Sequence, residues 1–149
     1  MQSLARGHDL LVKSDWRGAP LHDIVGSELS AFRDHVHIKG DVGELPPHIV
    51  LPFALVLDEL TTNAAKYGAL SKPEGMVEIG WRRTADDCVQ FDSRERGGPP
   101  VVPPAQTGFG TRVLKQAVPG GKATTEYGAD GLSYRLSIPL TPVEPTSGH

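Results

Sequence analysis

Hydrophobic and polar positions recur with two different periods along the chain. Apolar residues at helical spacing predict helices over residues 21–32 and 47–67. The second helix has two prolines near its start and Gly68 at its end, and Pro52 within its first turns allows a later start. Alternation of apolar and polar residues predicts strands over residues 35–39, 76–83, 88–91, 122–127 and 132–138.

Glycine, proline and short polar runs mark the connections between these segments. The polar run 84–87 predicts a hairpin between its flanking strands, and a glycine- and proline-rich loop follows over residues 94–107. A short helix is predicted over residues 108–117, and the last two strands turn at residues 128–131. This order predicts an α+β fold, a two-layer sandwich in which a mixed, mostly antiparallel sheet is covered on one face by helices.

Composition narrows the possible functions. At 149 residues the chain matches one domain that can bury a core without disulfides. A net charge of -3 gives no general attraction to nucleic acid or to an anionic membrane, so neither is expected as a partner. The single cysteine, Cys88, fits a reducing compartment. No secretory leader is visible and no apolar run approaches the roughly 20 residues that span a bilayer, so a cytoplasmic location is expected.

One edge of the helix predicted over residues 47–67 carries three polar groups of different chemistry. Glu59, Asn63 and Lys66 follow the i, i+4, i+7 spacing and therefore lie within one narrow arc beside the apolar stripe. A carboxylate, a carboxamide and an amine in a row suit a magnesium-bound polyphosphate. An ordinary helix surface with an ion pair between Glu59 and Lys66 is the alternative, and helix geometry alone leaves both open.

Two glycine-rich runs could complete a nucleotide site. In the run from Glu95 to Pro100 (ERGGPP), a carboxylate that can accept an adenine amino group precedes glycines that allow close backbone approach. In the run from Gly108 to Leu114 (GFGTRVL), free N–H groups at a helix start can face phosphate oxygens. The chain has no GxxxxGK[ST] run and lacks the third glycine of a dinucleotide fingerprint, which excludes P-loop and Rossmann sites.

These runs carry a resemblance to a known family. The run from Glu59 to Leu70 (ELTTNAAKYGAL) resembles the N box of HWE-type sensor histidine kinases, which belong to the GHKL (Bergerat-fold) ATPase superfamily. The glycine-rich runs are similar to the family's glycine boxes and follow in the family's order. The resemblance extends from His8 to Leu140. It implies a Bergerat-type sandwich, ATP and Mg²⁺ as cofactors, and transfer of the γ-phosphoryl group to a histidine.

The resemblance also implies a role for each residue that matches a motif. Asn63 would coordinate Mg²⁺, Glu59 would orient or deprotonate a group near the γ-phosphate, and Lys66 would contact phosphate. Glu95 would bind adenine, and residues 99–107 would form a lid over ATP. Nucleotide contacts are further implied for Tyr67, Gly97, Gly98, Gly108, Phe109, Gly110 and Thr111.

Two positions depart from the family pattern. Asp58 stands where the family has its eponymous histidine, and Ser93 stands where it has its eponymous tryptophan. The family's phosphoacceptor histidine lies on a dimerisation helix upstream of the position of His8, so we expect the acceptor on a segment outside this chain, in cis or in trans. Residues 1–13 are then the end of that helix or a linker, residues 14–140 the ATP-binding catalytic domain, and residues 141–149 a disordered tail. A response regulator is the further partner implied.

Other functions stay open from the residues alone. A stand-alone serine kinase of the anti-sigma-factor type would share the fold and length. A degenerate nucleotide-binding regulatory module would explain Asp58 and Ser93. His35 and His37 could bind a metal, but no third ligand has suitable spacing, and a solvated strand face is favoured. His8 is expected to have a structural or surface role.

Overall fold

The structure is a computed structural model that describes residues 18–40, 43–100 and 109–141. Its helices are α1 (Leu21–Glu28), α2 (Pro47–Lys66) and α3 (Phe109–Gln116), with short 3-10 helices at Ser30–His35 and Ala69–Ser71. Its strands are β1 (Ala19–Pro20), β2 (Val36–Gly40), β3 (Glu44–Leu45), β4 (Met76–Arg83), β5 (Cys88–Arg96), β6 (Lys122–Tyr127) and β7 (Leu132–Pro139).

Five strands form one mixed sheet in the order β2-β4-β5-β7-β6. β2 pairs with β4 in parallel, and the other neighbours pair antiparallel. Inward and outward positions alternate along β5, where Val89, Phe91, Ser93 and Glu95 are buried. The helices pack on this inner face, which confirms the predicted two-layer fold with a mostly antiparallel sheet.

The core lies between α2 and the inner face of the sheet. The buried residues of α2 recur every three or four positions, as expected for a helix with one face on a sheet. Phe53 of α2 meets Phe91 of β5 edge to face, with ring centroids 5.0 Å apart. Because α2 is fixed along its whole length, the side chains on its flank have defined positions relative to the sheet.

The ends of α2 have identifiable causes. Pro47 occupies its first position, where the missing N–H is not needed. Pro52 lies inside the helix, which runs through it, so the helix starts at the earlier of the two predicted points. At the other end the N–H groups of Tyr67 and Gly68 both donate to the Asn63 carbonyl, at 2.8 and 3.1 Å. This shared acceptor closes the helix directly before the segment that meets β5.

Several predicted boundaries were wrong. The helix predicted over residues 21–32 ends at Glu28 and continues as a 3-10 helix, inside which Phe32 has non-helical angles. His35 ends that 3-10 helix instead of starting a strand. β5 continues to Arg96 rather than residue 91, because residues 92–96 keep the in-and-out alternation and pair with β4. The small β1–β3 pair was not predicted. Residues 1–17 and 142–149 lie outside the described residues, as do the predicted boundaries that fall there.

Candidate active site

The polar edge of α2 lies beside its buried stripe. Leu60 and Ala64 are buried against the sheet, whereas Glu59 and Asn63 are half-buried and Lys66 is exposed. Glu59 and Lys66 form no ion pair in the described part of the chain. The ion pair that the alternative requires is therefore not formed within the described residues.

Glu59 lies directly against the first turn of α3. A β carbon added at Gly110 would lie 2.2 Å from Glu59 Oε2, so any larger residue there would displace this carboxylate. α3 is held there by the buried side chains of Val113 and Leu114. The Tyr134 hydroxyl donates to the Leu114 carbonyl at 2.5 Å, and burial raises the pKa of this phenol. The start of α3, with its free N–H groups, is thus fixed beside the polar edge of α2.

Glu95 is buried at the opposite end of that edge. Its Oε1 accepts a hydrogen bond from the Ala69 N–H at 2.9 Å, and the Leu132 N–H also donates to this carboxylate. β carbons added at Gly68 or Gly131 would lie 2.1 and 2.6 Å from Oε1. Burial raises the pKa of Glu95, and the two backbone hydrogen bonds oppose that shift. The carboxylate therefore joins the end of α2 to the β6–β7 turn.

The glycine pair after β5 packs on the same segment. Gly97 has a φ of +72°, and the Gly98 N–H donates to the Asp130 carbonyl at 3.0 Å. A β carbon at Gly98 would lie 2.6 Å from the Ala69 Cα, so this contact requires glycine. The pair is consequently placed beside Glu95, as the predicted site requires.

The structure therefore brings the predicted residues to two ends of one edge. Glu59 meets Gly110 at one end, and Glu95 with Gly97 and Gly98 meets the end of α2 at the other. Nine residue steps separate Glu59 from Gly68, which corresponds to about 13.5 Å at the helical rise of 1.5 Å per residue.

The remaining predicted residues are placed as follows. Asn63 and Lys66 lie between the two ends of the edge. Tyr67 caps α2 with its side chain 66% exposed. Thr111 is half-buried in the first turns of α3. Phe109 begins that helix, while its side chain, Gly108 and residues 101–107 of the predicted lid lie outside the described residues.

Some contacts were not foreseen from the sequence. Nothing local indicates that Gly131, 36 positions after Glu95, packs against that carboxylate; its φ of +135° explains the glycine only once the turn is known. Ser93, the position of the family's tryptophan, faces the core and lines a narrow cavity of about 10 Å³ together with Leu57, Leu60 and Ile79. The position that departs from the family thus faces the core beneath α2.

The two histidines considered as metal ligands do not share a site. His35 Nδ1 lies 3.1 Å from the Gly75 carbonyl, whereas His37 is exposed on the outer face of β2. Within residues 18–40, 43–100 and 109–141 no group of three His, Cys, Asp or Glu side chains is arranged to hold a metal ion. In the same residues no helix is long and apolar enough to cross a membrane.

Comparison with known proteins shows what the chain is similar to. The family model described as HWE histidine kinase matches residues 1–42. A blue-light-activated histidine kinase of Brucella ovis is 34% identical over the whole chain. The chain is thus similar to histidine kinases over its whole length. The homologous protein of Brucella anthropi is 31% identical over 95% of the chain. The chain spans about a third of the length of these curated relatives, 33% and 31% respectively.

Solved histidine kinases have the same fold as this chain. The histidine kinase domain of the Erythrobacter litoralis EL346 blue-light activated histidine kinase superposes with a TM-score of 0.73 at 19% identity, covering 93% of this chain and 72% of that one. The catalytic domain of the histidine kinase ThkA superposes with a TM-score of 0.64 at 19% identity, covering 83% of this chain and 96% of that one. The predicted Bergerat-type architecture is thereby confirmed.

Proposed function

We propose that this chain is the ATP-binding catalytic domain of a two-component sensor histidine kinase. It binds Mg-ATP and delivers the γ-phosphoryl group to a histidine on a dimerisation segment, from which a response regulator then takes it. The observation that carries the proposal is the pair of contacts at the two ends of the α2 edge, Glu59 against Gly110 and Glu95 against Ala69. We further propose that the reaction takes place in the cytoplasm.

The polar edge of α2 fits a magnesium ion held mainly by phosphate. Mg²⁺ keeps several waters and usually takes only one or two protein ligands beside substrate phosphates. The half-buried carboxamide of Asn63 is the protein ligand on this edge. When bound, the ion would neutralise charge that develops on the phosphoryl oxygens. The side chains of α2 do not by themselves supply this charge neutralisation.

The phosphates would lie between Lys66 and the start of α3. The Lys66 amine is exposed and can follow the phosphates as a flexible point charge. The first N–H groups of α3 have no partner within the helix, and Gly110 adds no side chain that would block them. Glu59, half-buried beside Gly110, would orient or deprotonate the acceptor imidazole. Phosphoryl transfer needs mainly such positioning and charge neutralisation.

The base would lie at the Glu95 end of the edge. A carboxylate has about four acceptor sites, and the Ala69 and Leu132 N–H groups occupy part of this capacity. The remaining capacity can accept the adenine amino group. Tyr67 is exposed at the same end of α2 and offers a ring face for the base.

A phosphotransfer assay tests the proposal. The domain is incubated with labelled ATP, Mg²⁺ and a separately supplied dimerisation segment from a relative. The expected product is an acid-labile phosphohistidine, and Glu59→Gln should slow its formation by about 100-fold or more, the usual effect of removing an acid–base group.

Two other outcomes of the same assay would favour the alternative functions. Acid-stable phosphoserine on an added partner protein would support the serine-kinase alternative. Binding of ATP without any transfer would support the degenerate regulatory module, for which Asp58 and Ser93 are the motivation.

A further inference from the structure

The helices cover only the inner face of the sheet, and the opposite face is open. Strand register places a polar or small side chain at nearly every outward position of the five strands. We call this surface the open face. It is formed by His37, Lys39, Met76, Glu78, Gly80, Arg82, Gln90, Asp92, Arg94, Arg96, Lys122, Thr124, Glu126, Ser133, Arg135 and Ser137.

The open face has a positive charge on a negatively charged chain. Its six cationic side chains stand against three carboxylates, a surplus of three positive charges with histidine neutral. The whole chain has a net charge of -3. Charge is therefore segregated: the face is positive and the remainder of the chain is correspondingly more negative.

Two of the three carboxylates of this face are paired locally, and several of its cations have no such partner. Arg96 pairs with Glu78 and Arg135 with Asp92, each at 2.7 Å. The hydrogen bond from Arg96 holds the pKa of Glu78 below its usual value, and the charges of Arg96 and Arg94 act in the same direction. Among the residues that the structure describes, the side chains of Arg94, Lys39 and Lys122 have neither an ion pair nor a hydrogen bond, and all three are exposed.

The shape of the open face suits an extended chain. A shallow cleft of about 710 Å³ crosses it, bordered by Lys39, Glu78, Asp92, Arg94 and Arg135. Small residues form its floor, since Gly80 has no side chain and Ser133 and Thr124 are short. The long cationic side chains at the border can thus reach over a ligand that lies on the floor.

We propose that the open face docks an acidic protein segment, whose carboxylates pair with Arg94 and Lys39 across the cleft. The planar guanidinium of Arg94 suits bidentate pairing with a carboxylate. A nucleic acid fits less well, because the described residues of the face include no Phe, Tyr or Trp ring for base stacking. The face lies across the sheet from α2, so this docking is independent of the proposed ATP site.

Binding of a short peptide of alternating glutamate and serine, measured by fluorescence anisotropy at low salt, tests the proposal. We expect saturable binding that weakens several-fold when salt is raised to about 0.3 M, because exposed charges are then screened. Arg94→Glu should weaken binding about tenfold or more, with Lys39→Glu as a second variant of the same face. Arg33→Glu makes the same charge change on the exposed 3-10 helix and should alter binding less than about twofold.

Several outcomes would overturn the proposal: no saturable binding, equal weakening in Arg33→Glu and Arg94→Glu, or tighter binding of oligothymidylate or of phosphatidylserine vesicles than of the peptide. Circular dichroism of each variant shows that the fold is kept. Titration with Mg-ATP separates the two proposals, since Arg94→Glu should leave nucleotide affinity unchanged even where peptide binding is lost.

Discussion

At the scale of single residues, the carboxylate of Glu95 has two roles, one in the proposed site and one in the fold. The sequence predicts it as an acceptor for adenine, from its position before a glycine pair. The structure adds that it is buried and holds the backbone at Ala69 and Leu132. Local sequence could not show this, because the groups that bury Glu95 come from two other parts of the chain. The residue that would select the base also shapes the pocket around it.

Glu95→Gln should change the pH dependence of stability. Burial raises the pKa of Glu95 in the folded state, so its contribution to folding is fully present below the unfolded pKa and is lost as pH rises through the folded pKa. Glutamine keeps an acceptor oxygen and does not titrate. The free energy of unfolding of the variant, relative to the parent, should therefore increase from acidic to neutral pH.

Urea unfolding between about pH 4 and pH 8 measures this difference. Gln116→Ala, an exposed change that alters no titratable group, should give a difference that is nearly constant with pH. A constant difference for Glu95→Gln, or one that falls towards neutral pH, would contradict the account of its burial.

Ser93→Trp restores the family's residue at the position where the chain departs from it. Because the adjoining cavity of about 10 Å³ cannot hold an indole, overpacking should lower the free energy of unfolding by about 1–3 kcal/mol. Ser93→Ala should change it by less than about 1 kcal/mol. Thermal or urea unfolding measures the free energy of unfolding of both variants. A tryptophan variant as stable as the parent would contradict the tight packing beneath α2.

At the scale of elements, the sequence predicts the helices better than it predicts their contacts. Apolar spacing, the proline at the first position and Gly68 define α2 almost to the residue. The contact between Glu59 and Gly110 joins residues 51 positions apart, and no local pattern encodes it. The end of β5 was missed because Glu95 is charged and yet faces inward, which an alternation of apolar and polar residues does not predict.

Docking of α3 on α2 should depend on the missing side chain of Gly110. Gly110→Ala places a β carbon 2.2 Å from Glu59 Oε2, and the flexible carboxylate must turn away to make room. This displacement should offset part of the about 0.5–1 kcal/mol by which alanine stabilises a helix relative to glycine. In Glu59→Ala no carboxylate has to move, and the same glycine substitution should be more favourable. The double-mutant cycle should show a coupling of about 0.5–3 kcal/mol.

Gly26→Ala is the matched control for that cycle. Gly26 lies in α1, and a β carbon there meets nothing within 4 Å, so alanine should stabilise the helix by about 0.5–1 kcal/mol. If Gly110→Ala were as favourable as Gly26→Ala, or if its effect were the same with and without Glu59, the proposed contact between α2 and α3 would be wrong.

At the scale of the whole molecule, the order of elements was enough to predict a helix-covered, mostly antiparallel sheet. The sequence could not predict the parallel pairing of β2 with β4 or the small β1–β3 pair, since both depend on which distant strands become neighbours. The candidate site also depends on distant parts of the chain becoming neighbours. Its residues come from α2, the end of β5, the β6–β7 turn and α3, and only the complete fold brings them to one edge.

Calorimetric titration with Mg-ATP tests the central claim, that this edge is an ATP site, most directly. The parent domain should bind in a magnesium-dependent manner, and Asn63→Ala should lose about tenfold or more in affinity, or ~1.4 kcal/mol, with little remaining dependence on magnesium. Gln90→Ala, which removes an amide from the opposite face of the sheet, should bind like the parent. Absence of binding by the parent, or unchanged magnesium-dependent binding by Asn63→Ala, would contradict the site.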